Sequence, residues 1–209
     1  MVVLPMAFAT LELAQLAVSR HALDFATFEA ARNGAVHGAR ESGMRLALAR
    51  ALVPLFVPVD PVAALAGRSV AGGTDPGLGA QALARAMAEV LRPDLTRLRI
   101  ENPTTAAGAD FAEPDPDSGR RVIPNDGLEV RNPRGPTSGL TLREANVLAI
   151  RVRYCRALVM PLTRQAVPAV LRWAMTDPFD QACLARGRLP IEAVAVIHMQ
   201  SPVELEDLP

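Results

Sequence analysis

The opening stretch constrains this chain most. From Met1 to Val18 the sequence MVVLPMAFATLELAQLAV is apolar apart from Thr10, Glu12 and Gln15. It lacks the basic start, and the small-residue cleavage site followed by a change of character, that mark a secretory signal peptide. The helical pattern instead continues through SRHALDFATFEAARNGAVHGA. Leu4, Phe8, Leu11, Val18, Phe25 and Phe28 recur mainly every three, four or seven residues, and Asn33-Gly34 supplies a stop. This predicts one helix of roughly thirty residues, apolar first and amphipathic later. Its apolar part is slightly shorter than the about 20 residues that span a hydrocarbon core. Periodicity alone leaves three readings: a membrane helix whose start is missing, an amphipathic core helix of a soluble domain, and an interfacial helix. Glu12 helps to separate them, because an ionised carboxylate at membrane depth costs several kcal/mol unless it is paired or faces protein. It is either an assembly contact or a residue on the solvated face of a soluble helix.

After Gly43, MRLALARALVPL gives one or two further helical turns, ended by Pro54 and Pro58. The next helix is better bounded. Asp75 is a candidate N-cap with Pro76 in the first turn, and Pro93 stops the run. Leu83, Met87, Val90 and Leu91 form its apolar face, with Arg85, Glu89 and Arg92 lying away from it. Period-two patterns place strands at about 95–101, 127–132, 147–156 and 191–199. Leu98 and Ile100 alternate with Arg97, Arg99 and Glu101, and Leu128 and Val130 with Glu129 and Arg131. Leu148, Ile150, Val152 and Tyr154 alternate with Arg151, Arg153 and Cys155. The last strand, IEAVAVI, is apolar on both faces, which predicts a central strand covered on both sides. Residues 102–139 hold six prolines and five glycines together with EPDPDSG, and read as a long surface loop. A helical piece near Arg164–Met175 has to accommodate Pro168 by a kink or a late start. The fold class is therefore α+β: a long N-terminal helix, then a compact domain with an antiparallel sheet of about four strands and packed helices. Antiparallel neighbours follow because the Pro/Gly-rich loop offers no crossover helix.

The 209 residues suffice for one medium domain plus an extra element. Acidic and basic residues balance at 22 each, so no net field directs the chain towards nucleic acid or an anionic surface. Cys155 and Cys183 are too few for a disulfide scaffold and lack metal-site spacing. They form one disulfide or remain two buried, inert thiols. His21, His37 and His198 fall in different elements, without a cysteine or carboxylate at ligand spacing. AGGTDPGLG precedes a helix but lacks the Gly-Lys-Ser/Thr ending of a phosphate loop. Ser118, Ser138 and Ser201 lie outside any nucleophile elbow. With one Trp, one Tyr and six Phe, base stacking and aromatic cages are poorly supplied. The expectation is a non-enzymatic chain with no catalytic residue, cofactor, metal, small-molecule substrate or nucleic-acid partner.

Three pieces occur in order in the N-terminal stretch: Val3-Leu4-Pro5, Glu12-Leu13 and Ala30-Ala31-Arg32. With this set, the chain resembles the TadE/TadG-like minor pilins of the bacterial Tad (tight adherence) pilus and secretion machinery. GRLPIEAVAVIHMQSP, Gly187 to Pro202, is similar to the closing strand and tail of many members, and NVLAIRVRYCRALVMPL to their penultimate strand. Members usually carry a short leader and a Glu-Phe pair ahead of the Val-Leu-Pro element, whereas this sequence begins inside that element. The resemblance implies a structural subunit with residues 1–34 as the membrane and assembly helix. Residues 35–209 would be a periplasmic α+β body with the Pro/Gly-rich loop. It further implies an inner-membrane location, with the subunit incorporated in the pilus or priming its assembly. Its partners would be other Tad pilins and inner-membrane assembly proteins. Glu12 would be the assembly contact of the helix. The competing expectation is a soluble periplasmic or cytoplasmic binding domain whose first helix belongs to its own core.

Overall fold

A computed structural model describes residues 3–57, 76–116, 118–129, 133–159, 161–205 and 208. The fold is α+β, as the periodicities require. In chain order the helices are α1 (Val3–Val36), α2 (Glu41–Leu52), a 3-10 turn (Val53–Leu55), α3 (Pro76–Val90), α4 (Thr105–Phe111), α5 (Leu142–Ala145), α6 (Pro161–Leu171) and α7 (Pro178–Ala185). The strands are β1 (Thr96–Asn102), β2 (Glu113–Pro114), β3 (Arg121–Ile123), β4 (Val147–Ala157), β5 (Arg188–His198) and β6 (Val203–Glu204). They form two antiparallel sheets ordered β1-β4-β5 and β2-β3-β6, where the sequence suggested a single sheet of about four.

The chain divides into two compact units. Both draw on residues of α1. The first unit comprises 1–26, 49–96 and 154–191. Its interior includes Leu23 and Ala26 of α1, Leu52 of α2, and Ala82, Ala86 and Val90 of α3. Leu91, which the sequence placed on the apolar face of α3, is exposed, because small Ala82 and Ala86 mark the face that packs. Asp75, the expected cap of this helix, lies outside the described residues. Pro168 sits inside α6, which starts and stops earlier than the sequence suggested.

The second unit comprises 27–48, 97–153 and 192–209. Here α1 runs past Asn33-Gly34 and stops at Val36. Gly38 adopts φ +70 and Ala39 donates its amide to Gly34 O at 2.8 Å, a Schellman-type ending that glycine permits without steric cost. Gly34 has a different role: a Cβ there would stand 2.6 Å from Met44 Sδ, so its smallness lets α2 approach. The alternation in β1 and β4 buries Leu98, Ile100, Leu148, Ile150 and Val152.

The Pro/Gly-rich segment is not one loop. Thr104 caps α4 by accepting the Ala107 amide at 3.2 Å. β3 pairs with β2 and β6, bringing Val122 opposite Glu204 and Ile123 opposite Val203. These strands are too short for periodicity to register. The strand expected at 127–132 does not form over its described residues: Gly127 is irregular, Leu128 and Glu129 are in a turn, and 130–132 lie outside the description. β5 is also displaced from its expected place: among the described residues β4 is central and β5 is an edge strand.

Candidate functional site

Within the first unit, one face of α1 is buried and polar at two points. Ser19 Oγ donates to Gln15 O at 2.8 Å and accepts from Arg156 Nε at 2.7 Å. Glu12 is only 8% exposed. Its Oε1 accepts the Val159 amide at 3.2 Å and its Oε2 accepts the Thr163 hydroxyl at 2.9 Å. The carboxylate therefore lies against the first turn of α6, where helix amides lack intrahelical partners and the dipole favours an anion. Glu12 is not on a solvated face, contrary to the blander of its two sequence readings. Its position had no local signal, since the groups that hold it lie about 150 residues along the chain.

A face of α1 about 100° round the helix from the buried one carries apolar side chains into solvent. Leu11, Val18 and Phe25, seven residues apart, are 47%, 62% and 58% exposed. Ala14 is exposed between the first two, and Phe28 continues the row. Leu11, Ala14, Val18, Phe25 and Phe28 fall on the a and d positions of one heptad register, with exposed His21 interrupting it between Val18 and Phe25. The side chains of Leu4 and Phe8 lie outside the described residues. The nearby Arg20–Asp24 pair, 3.3 Å apart, is exposed and contributes little.

Cys155 and Cys183 are joined in a disulfide with a Cα–Cα distance of 5.4 Å. Both are fully buried against Leu95 and Phe179, so α7 is fastened to β4. An ionic knot lies beside them. The Glu89 carboxylate accepts from Arg188 at 2.9 and 3.1 Å and from the Tyr154 hydroxyl. Arg188 also donates to Cys155 O at 3.0 Å. Burial, reinforced by the Glu89 charge, pushes the Tyr154 phenol above its usual range. Asp94, which bridges Arg92 and Arg186, is held below the ordinary carboxylate range chiefly by its hydrogen bond from Arg92. Sequence reasoning set Glu89 on the solvent face of α3 and missed this role, because only the partners on β4 and β5 turn it inward.

In the second unit a cavity of about 430 Å³ is lined by His37, Arg40, Asp115, Ser118, Ser201 and Glu204, among others. Its polar groups serve the fold. Ser201 Oγ accepts the Gly38 amide at 2.8 Å and donates to Ala35 O at 3.2 Å, fastening the α1 ending. Glu204 takes Arg40 at 2.8 Å and Arg120 at 2.9 Å. Ser118 turns onto Asp115, and His37 Nδ1 meets Asn33 O at 2.9 Å. Ser138 donates to Asp110, which also accepts the Thr137 and Ser138 amides and is lowered to about 2, foremost by the Ser138 hydrogen bond. His198 is exposed on β5, and His21 is exposed on α1 in the first unit. Among the described residues no group of three or more His, Cys, Asp or Glu side chains is arranged to hold a metal ion. Most of AGGTDPGLG, at 71–75, lies outside the described residues.

Comparison with protein-family models, with curated proteins and with solved structures found no match.

Proposed function

We propose that the chain is a structural, non-enzymatic assembly subunit, a TadE/TadG-like minor pilin of a Tad-type adherence pilus and secretion machinery. The observation that carries this reading is the exposed row Leu11, Val18 and Phe25 on α1. A soluble chain gains by burying such residues, and a row of apolar side chains at heptad spacing is a surface that a neighbouring helix covers. The ordered sequence pieces at both ends of the chain support the family. In this reading the partners are other pilins and inner-membrane assembly proteins, and the body faces the periplasm, an oxidising compartment that suits the Cys155–Cys183 disulfide. Among the described residues no helix is long and apolar enough to cross a membrane. The anchoring role of α1 is therefore assigned to its apolar start together with the helices that pack on its seam.

Val18→Arg is the test, since Val18 is exposed and its replacement leaves the buried face of α1 untouched. Expressed in the native host, the variant should keep its thermal stability and lose most co-purification with pilus proteins from membranes. Undiminished co-purification at normal protein levels would refute the role of the seam.

One observation favours a second reading, a soluble periplasmic or cytoplasmic binding domain. Glu12, Ser19, Leu23 and Ala26 bury an adjacent face of α1, about 100° round the helix from the exposed row, within its own unit, as a core helix does. Wild-type chain recovered wholly as free soluble monomer from its native host would establish that reading.

A further inference from the structure

The sequence IEAVAVI is apolar on both faces, yet among the described residues β5 lies at the edge of its sheet, with one of those faces open. Within the second unit Ile191's successors alternate: Ala193 and Ala195 are buried, whereas Val194 and Val196 are 49% and 60% exposed, followed by exposed His198. The amide of Met199 donates to Asn146 O, just ahead of β4, at 2.8 Å. Backbone groups of a strand alternate in direction, so those of the odd-numbered residues turn to β4. The N–H and C=O groups of Glu192, Val194, Val196 and His198 then face the free edge. Pro190 fits the same alternation: its missing N–H falls on the open side, the place where a strand tolerates proline. The usual protections of an edge are a short strand, a bulge or an outward lysine, and this strand of 11 residues shows only the proline at one end.

We infer that the free edge of β5 is a docking edge for the β5 of a second copy of this chain, paired antiparallel about Ala195. Side-chain pairing and size select this register. It sets Val194 opposite Val196 of the second copy, and Glu192 opposite His198, at both ends of the two-fold pair. Shifting the register by two residues in either direction loses the Glu–His pairing. Four residue pairs facing each other in hydrogen-bonded positions exchange about eight backbone hydrogen bonds, and Pro190 ends the ladder. The Val–Val and Glu–His pairs lie on the open face of a sheet that becomes six-stranded. Arg151 and Arg153 already lie beside Glu192 on that face, with Arg153 Nε at 3.6 Å, so Glu192 is fixed in place before a partner arrives. This inference is independent of the pilus reading, which concerns α1.

The test is sedimentation of the full-length chain in mild detergent from micromolar to submillimolar concentration, with hydrogen exchange read at the ends of that range. A reversible dimer is expected, with the amides of Val194 and Val196 protected only at high concentration. His198→Glu should raise the dissociation constant at least about tenfold by setting two carboxylates opposite one another, while His198→Arg should keep it at or below the wild-type value. Val196→Pro removes an N–H from the open edge but none from the β4 ladder, and should abolish the dimer while leaving the melting temperature of the monomer close to wild type. A chain that stays monomeric throughout would overturn the proposal. So would a dimer that is unmoved by His198→Glu, or one that dissociates with Val18→Arg while its β5 amides exchange freely.

Discussion

Glu12 and Asp110 show how one carboxylate can serve the fold through donors distant in sequence. Glu12 supplies an acceptor to the Val159 amide and the Thr163 hydroxyl in a nearly water-free position. Glu12→Ala leaves those donors without it, at a cost of about 1–3 kcal/mol. The melting temperature of the full-length chain should fall by several degrees, at roughly 2–4 °C per kcal/mol for a chain of this size. Glu12→Gln keeps an oxygen acceptor and should fall by less. An unchanged melting temperature for Glu12→Ala would contradict the bonding described. If Glu12→Gln melts near wild type and yet loses its pilus partners, the charge itself serves assembly. Asp110 is tied to the Thr137 and Ser138 amides and the Ser138 hydroxyl, which lower it to about 2 from an ordinary carboxylate value near 3.8. A depressed folded-state value means that the carboxylate stabilises the fold above the unfolded value, and that this contribution is lost as pH falls towards 2. Asp110→Asn should therefore unfold at lower denaturant than wild type at pH 7, with the gap closing between about pH 4 and pH 2. A gap independent of pH would exclude the charged form as the stabilising one.

At the level of elements, the disulfide is the strongest local constraint. It closes a loop with a sequence separation of 28 and ties α7 to β4. Replacing Cys155 and Cys183 together by serine should lower stability by roughly 3 kcal/mol on the loop-entropy argument. Denaturant unfolding with and without reductant gives the check, and equal midpoints for wild type and the double variant would contradict it. Which elements were legible follows from how local their causes are. β1 and β4 declare themselves by alternation, since each has one apolar face along a run long enough to count. α1 is legible as a long helix, but its end is not, because Gly34 reads as a stop until Met44 is seen to occupy the space beside it. β2, β3 and β6 have two or three residues each and owe their existence to one another. β5 misleads for a physical reason: an apolar outer face indicates a cover, and among the described residues Val194 and Val196 on that face are left exposed. The cysteine pair could be named from sequence, whereas its closure required the two residues to be brought 5.4 Å apart. Glu89 could not be found at all, since Tyr154 and Arg188 come from other elements.

At the scale of the whole molecule, the account rests on α1 having two functions on two faces. Ser19, Leu23 and Glu12 hold it to the rest of its unit, and Leu11, Val18 and Phe25 present an adjacent, exposed face. The buried face explains why such a helix is ordered, and the exposed seam is what the assembly reading uses. In that reading the polar and ionic groups elsewhere, including the Glu89 knot and the Glu204 pair with Arg40 and Arg120, keep the body rigid and perform no chemistry. The most direct measurement is photocrosslinking in living cells of the native host, with a benzophenone side chain replacing Val18 in one strain and Gln181, on α7, in another. The account predicts that the Val18 probe yields adducts with membrane-associated pilus subunits and that the Gln181 probe yields none or far fewer. Equal labelling from both positions, or no adduct from Val18 in cells that assemble pili, would contradict it.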